Sequence, residues 1–202
     1  VGVKSSLEPF LPAPTIAQGP DGLSWNYDRP ETVGRMRSFI GNFGILLRAY
    51  TYIVSNGGDG LRDISRHATL NANYILALLR HAYPPSVDRV CKHECVLSAS
   101  SLAHDHGVTA TDVAKALLDH GYHAPTIYFP LPAVTPEAIM IEPTETESKE
   151  TLDGFVAAML AIAREAGEDT DMVKQRPLTT PVRRLDEVTA ARKPVLRWTA
   201  DG

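Results

Sequence analysis

At Pro84-Pro85 the hydrophobic period of this chain changes, so the segments on either side cannot share one architecture. Upstream, Met36, Phe39, Ile40, Phe43, Leu46, Leu47, Tyr50 and Ile53 recur every third or fourth residue between Glu31 and Val54, the spacing of a helix with a wide apolar face. Asn56-Gly57-Gly58 supplies a stop and Asp59 a fresh N-cap. A second helix follows, with Leu61, Ile64, Ala68, Asn71, Ile75 and Leu78 on one face. The expectation for 30–84 is two antiparallel helices.

Beyond the prolines, residues 90–97 suit a strand. Thr109-Ala110-Thr111-Asp112 is a capping box that opens a helix through Val113, Leu117 and Leu118, closed by Gly121. Strands are expected at Thr126–Phe129 and Ala138–Ile141, on either side of a turn around Pro132 to Pro136, and a helix from Ser148 to Ala166. The order β-α-β-β-α predicts a small domain over 85–170, with helices on one side of a small sheet. Pro9, Pro12, Pro14 and Pro20, with turn signals at Gly19-Pro20-Asp21-Gly22, predict an extended connector with little regular structure over 1–29. Pro177, Pro181 and Pro194 predict an extended tail over 171–202 that runs along a surface. The fold class expected is α/β in the broad sense: an α+β fragment made of a helical connector and a small C-terminal domain.

Composition narrows the function. With 44% hydrophobic residues the chain can bury a core, and a net charge of −4 with interspersed signs offers no footprint for nucleic acid or an anionic membrane. No apolar run approaches the roughly 20 residues that span a bilayer, and Val1-Gly2-Val3-Lys4 has no signal-peptide core, so a soluble cytoplasmic protein is expected. Ser6 to Pro12 reads as chain in mid-domain, which predicts a further portion upstream. Cys91 and Cys95 are too far apart on a strand to form a disulfide, so reduced thiols are expected.

Self-contained catalytic motifs are few. There is no Gly-rich phosphate loop, no G-x-S-x-G elbow and no H-E-x-x-H. Cys91, His93, Glu94, Cys95, His104 and His106 are residue types that ligate zinc, but their spacing matches no common zinc pattern, so no metal site is assigned. His123 follows a helix end, where a histidine can cap carbonyls, and the acids and hydroxyls of Ile141 to Ser148 suit a helix N-terminus. Gly41 and Gly44 inside the first helical pattern each cost about 1 kcal/mol relative to alanine, which points to close backbone approach or a local break.

Several segments together resemble one family. Arg37-Ser38-Phe39-Ile40-Gly41-Asn42-Phe43-Gly44, Arg48-Ala49-Tyr50 and Leu70-Asn71-Ala72-Asn73-Tyr74 resemble the helical connector of the P-protein of the glycine cleavage system. His93-Glu94, the run Asp119 to Thr126 and the run Met140 to Ser148 resemble its C-terminal domain, and Thr179 to Glu187 with Arg192 to Trp198 resembles the tail of subunit 2 in its two-subunit bacterial form. The match runs in order along nearly the whole chain.

The resemblance implies the small domain of a fold type I pyridoxal-phosphate enzyme. It implies glycine decarboxylation, with the aminomethyl group passed to the lipoyl arm of H-protein, and an α2β2 assembly with P-protein subunit 1. The cofactor lysine is expected upstream of Val1, since none of the six lysines here stands in a His-Lys-Thr context, and the fragment alone is expected to be inactive. The residues it offers are Asn42 near the cofactor, and His123, Thr126, Glu142 and Thr144 lining the substrate or lipoyl channel. A non-catalytic scaffold derived from such an enzyme, or another fold type I enzyme, are the alternatives.

Overall fold

The computed structural model describes residues 2–36 and 41–200. The chain divides into two compact units, Val1–Gly57 and Gly58–Gly202.

In the first unit a short 3-10 helix, Ser5–Phe10, leads into a hairpin of β1 (Thr15–Gly19) and β2 (Gly22–Asn26), which pair antiparallel with Ile16 opposite Trp25. The expected connector with little regular structure therefore carries an ordered hairpin, because Gly19-Pro20-Asp21-Gly22 turns the chain back on itself. The expected helix start at Glu31 is also corrected. Residues 31–36 are not helical, because they are tied to the N-terminal segment. The Val33 amide donates to the Phe10 carbonyl (3.1 Å), the Ala13 amide donates to the Gly34 carbonyl (3.3 Å), and the Thr32 hydroxyl donates to the Leu11 carbonyl. Those bonds use backbone groups that a helix would need for itself. Phe39 and Ile40, counted in the helical pattern, lie outside the described residues.

The long helix α1 (Phe43–Leu79) starts where the Asn42 side chain accepts the Ile45 amide (3.2 Å), so Gly41 stands before the helix and not within it. It is interrupted at the expected stop. Gly57 has φ +64°, a conformation that suits a residue without Cβ.

The second unit contains β3 (Cys95–Ser98), α2 (Ser100–His106), α3 (Ala110–Asp119), β4 (Thr126–Ile127), β5 (Ala138–Ile141), α4 (Lys149–Glu168), α5 (Thr170–Gln175) and α6 (Glu187–Arg192). The three strands form an antiparallel sheet in the order β3-β5-β4, with Leu97 opposite Ile139 and Thr126 opposite Met140. Strand β3 is shorter than the expected 90–97, because the Cys91 backbone pairs with the side chain of Asn73 and not with a strand. Sheet residues Leu97 and Ile139 pack with Leu79 and Tyr83 from the α1 side, Val113 and Leu117 of α3, and Met159 and Ile162 of α4. Tyr83 is fully buried, and its hydroxyl donates to the Met159 carbonyl (3.0 Å). Burial pushes its phenol pKa upward.

The 109–112 capping box forms, with Asp112 Oδ2 accepting the Thr109 amide (2.8 Å). The tail departs from the expected extended strap. It holds α5 and α6 and is stapled to the second unit at three places. Arg176 pairs with Glu165 (2.8 Å), Arg184 pairs with the buried Asp112 (2.7 Å), and Asp119 accepts the amides of Leu178 (2.8 Å) and Thr179 (2.9 Å). No helix among the described residues is long and apolar enough to cross a membrane.

Candidate functional site

Helix α3 ends in backbone bonds. The amides of His120 and Tyr122 donate to the Leu117 carbonyl, and that of Gly121 donates to the Leu118 carbonyl. Backbone, and not the His123 imidazole, closes the helix, and His123 faces a cavity of about 350 Å³. Thr126 on β4, Met140 on β5 and Glu142, the first residue beyond β5, line the same cavity. Its apolar wall comes from Tyr122 and Phe155, whose rings meet edge to face with centroids 5.4 Å apart.

Of the five residues singled out in the sequence, His123, Thr126 and Glu142 share this cavity. Thr144 lies beside it on the following loop. Its hydroxyl bonds that of Thr146 (2.7 Å), and its carbonyl accepts from Asn71 (2.9 Å). Asn42 belongs to the other compact unit, where its carboxamide oxygen caps α1. The helix-capping role allowed for the 141–148 segment falls to Ser148, which accepts the Thr151 amide (3.1 Å), and this leaves Glu142 to face His93 at 3.7 Å. Among the cavity residues that the sequence did not single out are Ile75, Tyr122 and Phe155, whose apolar character reads as core.

Charge decides what the cavity can take. Its acidic side chains are Glu142 and Glu147 and its imidazole is His123, with no lysine or arginine. Such a set can accept hydrogen bonds from an amine or hydroxyl held against the Tyr122–Phe155 wall, but it lacks the cations and clustered amide donors that suit a phosphate. The described lining therefore does not fit the phosphate end of pyridoxal phosphate. Among the described residues, no three His, Cys, Asp or Glu side chains converge to hold a metal. Cys91 and Cys95 are free thiols, and burial pushes Cys95 up to about 12, far from a reactive thiolate.

The cavity lies within residues 64–181, which match the family described as glycine dehydrogenase, C-terminal domain. The chain belongs to this family. It is 56% identical over 198 residues to the probable glycine dehydrogenase (decarboxylating) subunit 2 of Bacillus cereus (strain ATCC 10987 / NRS 248), covering 98% of this chain and 40% of that protein. The protein of the same name from Bacillus thuringiensis (strain Al Hakam) is likewise 56% identical over 198 residues. The chain thus spans about 40% of the length of these relatives. Its fold is similar to a crystal structure of glycine decarboxylase, the P-protein of the glycine cleavage system, in inhibitor-bound form. The TM-score is 0.59 at 16% identity, over 77% of this chain and 36% of that one. In this glycine dehydrogenase family member, the cavity residues between Tyr122 and Thr126 and between Met140 and Glu147 lie in segments on which the resemblance to the C-terminal domain rests.

Proposed function

We propose that this chain serves as the C-terminal part of a glycine dehydrogenase (decarboxylating) and builds one wall of the site where glycine loses carbon dioxide. The observation that carries the reading is the 56% identity with the Bacillus cereus subunit 2, which runs through 98% of the chain and so through every cavity residue. In this reading the complete protein works in the cytoplasm with pyridoxal phosphate, pairs with subunit 1 in an α2β2 assembly, and passes the aminomethyl group to the lipoyl arm of an H-protein. Residues 85–170 act as the small domain, and 171–202, with α5 and α6, are pinned to it through Arg176, Arg184 and Asp119.

Pyridoxal phosphate, when bound, supplies the electron sink that lets the carboxylate depart. Because the cavity lining does not suit its phosphate, that group is held by other parts of the complete protein. The work of this chain is to orient and to shield. Tyr122 and Phe155 exclude water from one side, and His123, Thr126 and Glu142 offer acceptors to the amine of the substrate or to a group carried by the lipoyl arm. Thr144 borders the same channel at its rim.

The test is exchange of labelled carbon dioxide into glycine by the complete protein with its partner subunit and H-protein. Wild type is expected to exchange, and His123→Ala or Glu142→Gln is expected to slow it by about tenfold or more, equivalent to roughly 1.4 kcal/mol of transition-state stabilisation. No exchange by a folded wild-type complex would favour the non-catalytic scaffold. Full rates in both variants would move the site away from this cavity.

A further inference from the structure

Two asparagines on one turn of α1 hold two loops that are far apart in sequence. At 100° per residue, positions 71 and 73 point about 200° apart around the helix. Ala72 between them is fully buried, which directs the helix toward the core there and sends Asn71 and Asn73 out along opposite flanks.

On one flank, Asn71 Nδ2 donates to the Thr144 carbonyl (2.9 Å), 73 residues away. On the other, Asn73 pairs in both directions with the Cys91 backbone: Nδ2 donates to the carbonyl (2.8 Å) and Oδ1 accepts the amide (3.0 Å). Asparagine suits this task because its carboxamide presents the same donor and acceptor as a peptide group, so it can pair with irregular backbone as a strand would. The held loops lead to His93 and Glu142, and there they meet, with His93 Nε2 3.7 Å from Glu142 Oε1. The connection is closed: from α1 through Asn73 to the 91–93 loop, across His93 and Glu142, and back through Thr144 and Asn71 to α1.

We infer that Asn71 and Asn73 are positioning residues that fix the Glu142 carboxylate at the rim of the cavity, Asn71 through its own loop and Asn73 through His93. The sheet alone does not do this, because β5 ends at Ile141, and Glu142 is the first residue beyond it. A carboxylate on a loop without those bonds samples many positions, and displacement on the scale of 1 Å is enough to cost a site much of its rate. The consequence for turnover rests on the function proposed above. The positional claim does not.

Asn71→Asp and Asn73→Asp keep the size of the side chain but replace its amide donors with a carboxylate that cannot donate to the Thr144 or Cys91 carbonyl, and circular dichroism of each variant checks that the fold is retained. In the full chain, Asn71→Asp is expected to speed amide exchange about tenfold in residues 142–147, and Asn73→Asp to do the same in residues 91–94. Each should shift the His93 imidazole signals in the ¹⁵N–¹H spectrum, as Glu142→Gln should. In the complete enzyme each is expected to lower kcat about tenfold, and the loss should largely disappear in a Glu142→Gln background, since residues acting through one group are not additive. Unchanged loop exchange, or an unchanged His93 spectrum, overturns the inference. So does a loosened loop with kcat intact in an active enzyme. If the wild-type enzyme proves inactive on glycine, the proposed function fails, and loop exchange with the His93 spectrum still decides the positional claim.

Discussion

At the scale of single residues, Gly154 shows how α4 admits the cavity wall. A Cβ built there would lie 2.5 Å from the Tyr122 hydroxyl oxygen, so the phenol occupies the space that a side chain would take. Gly154→Ala gains up to about 1 kcal/mol in helix propensity but must displace Tyr122 from its edge-to-face contact with Phe155, at a cost of roughly 1–3 kcal/mol from overpacking. The expected result is a net loss of about 1 kcal/mol in urea unfolding, together with a changed cavity wall. Asp119 gives a prediction in pH. Burial raises its carboxyl, and the amides of Thr179 and Leu178, the Thr179 hydroxyl and the nearby Arg176 charge outweigh that effect, so it titrates below the ordinary carboxylate range. A depressed folded pKa means that its stabilisation is complete above the unfolded value of about 4 and is lost as pH falls through the folded one. The Leu178 and Thr179 amides are expected to lose exchange protection below about pH 4, and Asp119→Asn should abolish that transition. Protection that is independent of pH in wild type would contradict the assignment.

At the scale of elements, local chemistry marked some boundaries well. Thr109 with Asp112 opens α3 and Ser148 opens α4, because each cap is made by side chains within three residues of the helix start. Thr109→Ala is expected to cost about 1 kcal/mol in thermal or urea unfolding. Asp112→Ala should cost about 2 kcal/mol, since it also frees Arg184 and so the tail. A cost for Asp112→Ala no larger than that for Thr109→Ala would show that the Arg184 pair adds nothing. Other boundaries depended on partners distant in sequence and could not be read locally. The helical pattern from Glu31 extended too far because Val33 and Gly34 bond to residues 10–13. The hairpin at 15–26 was hidden by its short, mixed-polarity strands, and α2 by having only seven residues. The site followed the same rule. His123, Thr126 and Glu142 were legible through family segments, whereas Tyr122 and Phe155 look like any core aromatics until the fold brings them to the cavity.

At the scale of the whole molecule, the second unit holds a contiguous core and a stapled tail, whereas Phe43, Leu46, Tyr50 and Ile53 on the first part of α1 are exposed. The chain's span of about 40% of its relatives and the acidic, phosphate-poor lining of its cavity lead to one reading. In the function proposed above, this domain supplies the substrate-facing wall of a larger decarboxylase, and other parts of that protein hold the cofactor. A crystal structure of the complete protein with glycine bound tests that reading most directly. It is expected to place the ligand, or the channel leading to it, against His123, Thr126 and Glu142, with Asn71 and Asn73 still holding their loops. A ligand seated with no residue of this cavity in contact with it or with its access channel would contradict the assignment.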